Sequence, residues 1–227
     1  MENKFLVPSS IVLAGVIIAG AIAYTRLPRV PVEPRDAGVA SPRLEGASLG
    51  ALRIKKDDFV LGNPAAPVVA IEYGDFQCPF CARFFSTTES ELRETYVKEG
   101  KAAFVWRDFA FLGEESMRAA EAARCAGDQG KFWEYHDMLF VRQGGENQGV
   151  FSDSALSGFA REIGLAQDAF AACMSSKKYR SKIAASTEEG KMLGVSGTPT
   201  TFINGQVVNG AVLFDTFKHA IEQELKN

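Results

Sequence analysis

Histidine and cysteine are scarce in this chain of 227 residues, with two His and four Cys. That scarcity limits any metal site. A zinc site around Cys78 and Cys81 would need two more ligands, and Cys125, Cys173, His136 and His219 stand isolated, without knuckle spacing. Strong positive charge is also missing: the net charge is -3, and no block of Lys and Arg is interleaved with aromatics, so a nucleic-acid partner is excluded. His136, in "WEYHDMLF", sits in an aromatic helical stripe and reads as a packed residue rather than a base. His219 reads as a surface residue of the last helix, and neither forms a Cys-His nucleophile pair by its pattern. Neither a metal nor a cofactor is expected.

Long hydrophobic runs are confined to the N-terminus, where Phe5 to Tyr24 is broken only by Pro8-Ser9-Ser10 and closed by Arg26. Its length is close to the roughly 20 residues that cross a bilayer. A cleavable signal peptide ending at Ala21-Ile22-Ala23 competes with an uncleaved signal anchor over residues 1–26; the length of the span and its weakly charged leading region favour the anchor. Arg26, Arg29 and Arg35 follow the span while Lys4 precedes it, so the positive-inside rule does not by itself place the body outside, and the orientation is inferred from the cysteines. Residues 27–56 are rich in Pro, Gly, Ala and Ser, lack a sustained period, and read as a flexible linker.

Beyond the linker, 46% hydrophobic residues suffice for one core with an insertion. "PVVAIEY" (67–73), framed by Gly62-Asn63-Pro64 and Gly74-Asp75, predicts a buried central strand. After Cys78, Pro79 suits a first helical position, and Phe80, Phe84, Leu92 and Tyr96 recur at helical intervals until Gly100. "KAAFVWR" (101–107) predicts a second strand, which closes a βαβ unit. Residues 114–192 read as helices, one opening at Ser152 as an N-cap candidate. The last segment reads as strand, Asn204-Gly205 turn, strand and amphipathic helix. The order βαβ, helical insert, ββα is a thioredoxin fold (residues 57–113 and 193–227) with an all-helical domain inserted between its halves (114–192).

Cys78 and Cys81 therefore stand at a strand-to-helix junction. Free N–H groups and the macrodipole at a helix start favour an anion, so Cys78 ionises readily, while Cys81, one turn deeper, is placed to resolve a mixed disulfide. Glu72, six residues before Cys78 on the central strand, would be buried beneath the pair and relay a proton for Cys81; the competing reading is a carboxylate exposed at the strand end. Thr198-Pro199, after Gly197 and before the last hairpin, would, with a cis proline, turn the preceding backbone toward the cysteines and leave Thr198 to pair with an extended substrate. Thr198, Pro199 and Phe80 are the candidate substrate-binding residues.

"EYGDFQCPFC", "AARCAGDQGKFWEYHDMLF" and "GVSGTPTTFINGQVVNGA" resemble the DsbA-like thiol-disulfide oxidoreductases, particularly their membrane-anchored bacterial group, from about Asp58 to the C-terminus. The resemblance implies an enzyme of the periplasm or cell surface that introduces or rearranges disulfides in exported proteins. It implies Cys78 as nucleophile, Cys81 as resolving thiol, Glu72 as buried acid and Pro199 as cis-proline. It further implies unfolded exported proteins with free thiols as substrates, and a membrane redox partner of the DsbB or vitamin K epoxide reductase type. The chain departs from the best-known strongly oxidising members in the dipeptide Pro79-Phe80, where they carry His second; Phe removes one stabiliser of the thiolate.

Cys125 and Cys173 lie on apolar helical faces of the insert. Inert core thiols and a structural disulfide are both open readings, and similar proteins sometimes carry such a second bridge. The leading reading is a membrane-tethered dithiol oxidase, with a disulfide reductase or isomerase of the same fold as its alternative. A redox-silent peptide-binding chaperone module would not need both thiols, and the glutathione-dependent branch with a similar insert works with one Ser or Cys rather than a vicinal pair.

Overall fold

The computed structural model describes residues 50–226. The expected anchor and the linker up to residue 49 lie outside these described residues. Among the described residues no helix is long and apolar enough to cross a membrane. The strands are β1 (Phe59–Leu61), β2 (Val68–Gly74), β3 (Ala102–Asp108), β4 (Thr200–Ile203) and β5 (Gln206–Asn209). They form one sheet in the order β1-β3-β2-β4-β5, in which β2 and β3 are parallel and every other pairing is antiparallel. Helix α1 (79–97) connects β2 to β3. Between β3 and β4 lie α2 (Glu114–Gly127), α3 (Phe132–Arg142), α4 (Asp153–Glu162), α5 (Gln167–Ser175) and α6 (Arg180–Met192), and α7 (Phe214–Glu224) ends the chain.

This is the thioredoxin fold with its helical insertion, and period-two patterning sets its layers. Val68 and Ala70 of β2 face α1 and α7, where they pack with Phe84, Leu92, Phe104 and Phe217. Ile71 and Tyr73 face the other way, toward Val105, Phe109, Val195 and Phe202. Full burial of each such side chain contributes about 1.5–3 kcal/mol relative to exposure. Helix α6 lies on this second face at Gly190, where a Cβ would come within 2.8 Å of Phe109 and 2.9 Å of Tyr73. A third cluster joins Phe76, Cys81 and Trp106 to the helices of the insert.

Four local features go beyond or against the sequence reading. Strand β1 pairs with β3 from Phe59↔Trp106 to Leu61↔Phe104, and its three residues are too few to show a period. Helix α1 is α-helical at Pro79–Phe84 and Ser90–Leu92 but opens into π turns at Phe85–Glu89 and Arg93–Val97. Ser152 is the N-cap residue of α4, yet its hydroxyl meets Ser154 Oγ at 3.3 Å and makes no cap bond.

The flexible linker stops short of residue 56, because Leu52 is buried with Ile71 and Tyr73 and Arg107 binds the backbone beside it. Arg107 Nη1 donates to Ala51 O at 2.6 Å and Nη2 to Arg53 O at 2.8 Å. Its charge is balanced by Asp58 at 2.9 Å and Glu189 at 3.3 Å. An isolated buried guanidinium would be costly, so these carbonyls and carboxylates are what allow it there.

The Asn204-Gly205 turn is as expected, with φ of 45° and 90° at its two positions, the left-handed conformation that joins two twisted strands. Cys125 and Cys173 are bridged across α2 and α5, with 48 residues of sequence separation and Cα atoms 5.9 Å apart. The core-thiol reading is thereby replaced. Closing a loop of this length restrains the unfolded chain, so Cys125→Ala with Cys173→Ala should lower the unfolding free energy by about 2–4 kcal/mol in denaturant titration.

Candidate active site

The end of β2 and the start of α1 create the site. Past Gly74, Asp75 accepts from the backbone N–H of Gln77 at 2.9 Å and so caps a turn with its own side chain. The N–H of Cys78 donates to Asp75 O at 3.0 Å. Cys78 holds extended backbone (φ -69°, ψ 119°), as the residue before a proline must, and Pro79 opens the helix. Cys78 and Cys81 are free thiols, both buried. Phe80 between them is 55% exposed, with Arg83 5.1 Å from its ring centre.

The two thiols are electrostatically unlike. The Cys81 side chain hydrogen-bonds the Cys78 sulfur and is the main cause of its lowering to about 6; burial works against this, while Thr198 and the N–H groups of Cys81 and Phe80 add to it. Burial pushes Cys81 well above the ordinary thiol value, and its bond to Cys78 and the charge of Glu72 push the same way. One sulfur is thus a ready nucleophile and leaving group, and the other holds its proton until it must act.

Sequence reasoning placed Thr198, Pro199 and Glu72 beside this pair, and the structure brings all three there. The Thr198-Pro199 bond is cis. The Cys78 thiol donates to Thr198 O at 3.3 Å. Thr198 Oγ1 is buried without a partner. Glu72 is buried in mid-strand, which removes the alternative of an exposed strand-end carboxylate. Burial, and after it the charge of Glu89, raises its carboxyl well above the ordinary range; the Cys81 side chain is a direct hydrogen-bond neighbour. His136 is packed among Phe76, Trp106 and Phe140, as the aromatic stripe suggested, and His219 is exposed on α7.

Sequence reasoning missed the side chains that brace the loop. Asp75 also accepts from Ser116 Oγ at 2.6 Å and from the N–H groups of Phe111 and Leu112 at 3.0 and 3.2 Å. Gln77 donates to Ser116 Oγ at 2.8 Å and accepts from the N–H of Asn147 at 2.6 Å. Gln143 Nε2, just beyond α3, donates to Phe76 O at 2.7 Å and to Cys78 O at 3.1 Å. The insert therefore holds the cysteine loop through the side chains of Asp75 and Gln77 and the carbonyls of Phe76 and Cys78. Of these, only the Asp75 turn had a local signal, an Asp directly after a strand-ending Gly.

Comparison with known proteins agrees with this geometry. The family profile described as thioredoxin matches residues 55–223. A probable disulfide bond formation protein D from Bacillus anthracis is 31% identical over 172 residues, covering 73% of this chain and 77% of that protein. A Na(+)/H(+) antiporter NhaA 1 from Salinispora arenicola is 34% identical over 166 residues, covering 72% of this chain. The match spans only 24% of the antiporter's length. The crystal structure of alpha-DsbA1 from Wolbachia pipientis superposes with a TM-score of 0.72 at 26% identity, covering 79% of this chain and 96% of that one.

Alkylation of reduced protein should report Cys78 with a midpoint near pH 6. Thr198 Oγ1, without a partner while Cys78 is a thiol, helps to lower that thiol by bonding its anion, so Thr198→Val should raise the midpoint. Glu72 keeps its proton in the folded state at pH values where the unfolded chain has lost it. Stability should therefore fall as pH rises above roughly 4.3 until the native carboxyl itself ionises, and Glu72→Gln should flatten this slope in pH-dependent urea unfolding.

Proposed function

The chain belongs to the thioredoxin family, in its DsbA-like branch, and on that premise we propose that it is an extracytoplasmic thiol-disulfide oxidoreductase that introduces disulfides into exported proteins. The observation that carries this reading is the Cys78 sulfur, lowered to about 6 at a helix start while Cys81 beside it is raised. A stabilised thiolate is a good leaving group and favours the reduced pair, so the oxidised pair is disposed to pass its disulfide on.

In the proposed reaction, a thiolate of an unfolded protein attacks Cys78 Sγ of the oxidised pair. Cys81 leaves and takes up a proton, and a mixed disulfide remains at Cys78. A second substrate thiolate attacks the substrate sulfur of that bond and expels the Cys78 thiolate. The substrate has lost two electrons, and the Cys78-Cys81 pair holds them as a dithiol. Thr198 and cis Pro199 line one side of the attacked sulfur, and the exposed Phe80 ring offers an apolar contact to an extended substrate. Re-oxidation falls to a membrane partner of the DsbB or vitamin K epoxide reductase type.

The Cys125-Cys173 bridge supports an oxidising compartment. Residues 1–26 act as the membrane anchor in this reading and the following linker as a spacer. Residues 57–113 and 193–227 form the catalytic domain, and 114–192 the insert that braces it.

Cys81→Ala should trap a mixed disulfide with a cysteine-containing peptide, and the absence of any adduct would return the protein to the peptide-binding reading. Equilibration of the Cys78-Cys81 couple with glutathione decides direction. A potential above about -180 mV supports the oxidase, and one near about -270 mV would reassign the protein as a reductase.

A further inference from the structure

The segment that enters the fold ahead of β1 is held by more than the sheet it covers. Leu52 is buried in one cluster with Tyr73, Phe109 and Val195. Arg107, which takes the carbonyls of Ala51 and Arg53, also donates through Nε to Asp58 Oδ1 at 3.2 Å, and Asp58 in turn accepts from the N–H of Lys55 at 2.8 Å. Two further charges of the segment reach α6. Lys55 Nζ donates to Glu189 Oε1 at 2.6 Å, and Asp57 pairs with Lys182. Arg107 Nη1 meets the same Glu189 oxygen at 3.3 Å, so one guanidinium holds the segment and α6 together. Gly190, next to Glu189, is where α6 lies against Tyr73 and Phe109.

Helix α6 is the element that delivers Thr198 to the site. It ends at Met192, and the chain then runs through Leu193, Gly194, Val195, Ser196 and Gly197 to Thr198. Of these connecting residues Val195 alone is buried. A Cβ added at Gly194 or Gly197 would meet nothing within 4 Å. The connection therefore has one apolar foothold, and it stands in the same cluster as Leu52. The N–H of Val195 donates to Gly190 O at 2.9 Å, which ties that foothold back to α6. On the other side the cis-proline loop is fixed by β4 and β5, where Pro199 O accepts from the N–H of Gly210 at 2.8 Å and Thr200 Oγ1 donates to Gly197 O at 2.8 Å.

We propose that the docked segment, residues 51–58, is a positioning element of the active site, which through α6 and Val195 sets where Thr198 stands against Cys78 Sγ. The proposal rests on the thiol-exchange reading above. The Cys78 thiol donates to Thr198 O at 3.3 Å, and Thr198 helps to lower that thiol by bonding its anion. The groups that lower Cys78 most are Cys81, Thr198 and the N–H of Phe80, none of them in the segment. The ionisable groups that face it are Cys81 of α1 and Glu72 of β2, also outside the segment. The influence of the segment on the sulfur thus passes through Thr198.

A segment that served only to cover the sheet would need apolar contacts to β2 and β3 and no charges aimed at α6. Partly exposed ion pairs such as Lys55 with Glu189 and Asp57 with Lys182 contribute little to stability, but they fix where one element lies along another. Undocking would leave Val195 without its cover and the Arg107 guanidinium without two of its acceptors. Thr198 would then hold the thiolate less well. A less stable thiolate favours the closed disulfide, so the couple would become less oxidising.

The test is made on the full chain with Leu52→Ser, beside Ile221→Ala, which opens a cavity on the opposite face of the sheet and controls for lost stability. Alkylation of the reduced proteins across pH should place the Cys78 midpoint of Leu52→Ser above the value near 6 of the unaltered protein. Equilibration with glutathione should shift roughly three-fold or more toward the closed disulfide, in line with the net worth of about one hydrogen bond. Val195→Ala should move both readings in the same direction. Ile221→Ala should unfold at lower urea and move neither. An unshifted Cys78 in Leu52→Ser or in Val195→Ala overturns the proposal, and so does an equal shift in Ile221→Ala.

Should Leu52→Ser fail to fold, the unaltered protein decides, because coupling between two sites is reciprocal. The N–H of Lys55 is bonded to Asp58 Oδ2 and that of Asp58 to Lys55 O. Their hydrogen exchange at neutral pH should be slower in reduced than in oxidised protein, and equal rates overturn the proposal. A Cys78 no more reactive in the unaltered protein than an ordinary thiol sinks the exchange reading itself, and that measurement precedes every variant.

Discussion

Everything at the site depends on holding one sulfur as an anion where β2 gives way to α1. A free thiol gains little from a single dipole. Cys78 gains from several directions at once, with the Cys81 side chain first, then Thr198, then the N–H groups of the opening helical turn. That convergence requires the cis Thr198-Pro199 segment, the 75–78 turn and the first turn of α1 to be fixed relative to one another. The hydrogen bonds of Asp75, Gln77 and Gln143 supply this rigidity, and two of the three reach into the insert or the loop beyond α3. The insert is therefore part of what keeps the thiolate stable, in addition to covering one side of the sheet.

The same constraint accounts for the unusual burial of acid in the core. A carboxyl in an apolar strand is unfavourable for folding, and Glu72 lies there with the Cys81 side chain as its hydrogen-bond neighbour and its carboxyl raised by burial. The rings of Phe76, Trp106 and Phe140 pack around His136, whose neighbour Asp137 is partly exposed.

Much of this was legible in the sequence because it is local. A Pro after the first cysteine marks a helix start, Asn-Gly marks a hairpin, and the short apolar, β-branched run "PVVAIEY" marks a central strand; each is written within a few residues. Glu72, Thr198 and Pro199 were found by their distance from landmarks of the fold. The bracing by Ser116 and Gln143 escaped notice because their partners lie 41 and 67 residues away in sequence, and a lone Ser or Gln carries no sign of what it will meet. Glu89 and Arg93 stand four residues apart, a spacing that does not tell an exposed ion pair from a buried one, and Asp137 of α3 packs against them. Residues 51–56 read as linker from composition, whereas Arg107, far along the chain, decides that they dock.

The grip of Arg107 on the backbone at Ala51 and Arg53 has a mechanical meaning. Leu52 sits against the sheet face opposite α1, so any pull arriving along the polypeptide from ahead of residue 51 is taken up by β3 from behind. The entering segment thus meets Tyr73 and β3 rather than the helix that opens at Cys78, and it leaves the face that carries Phe84 and Phe217 free of it.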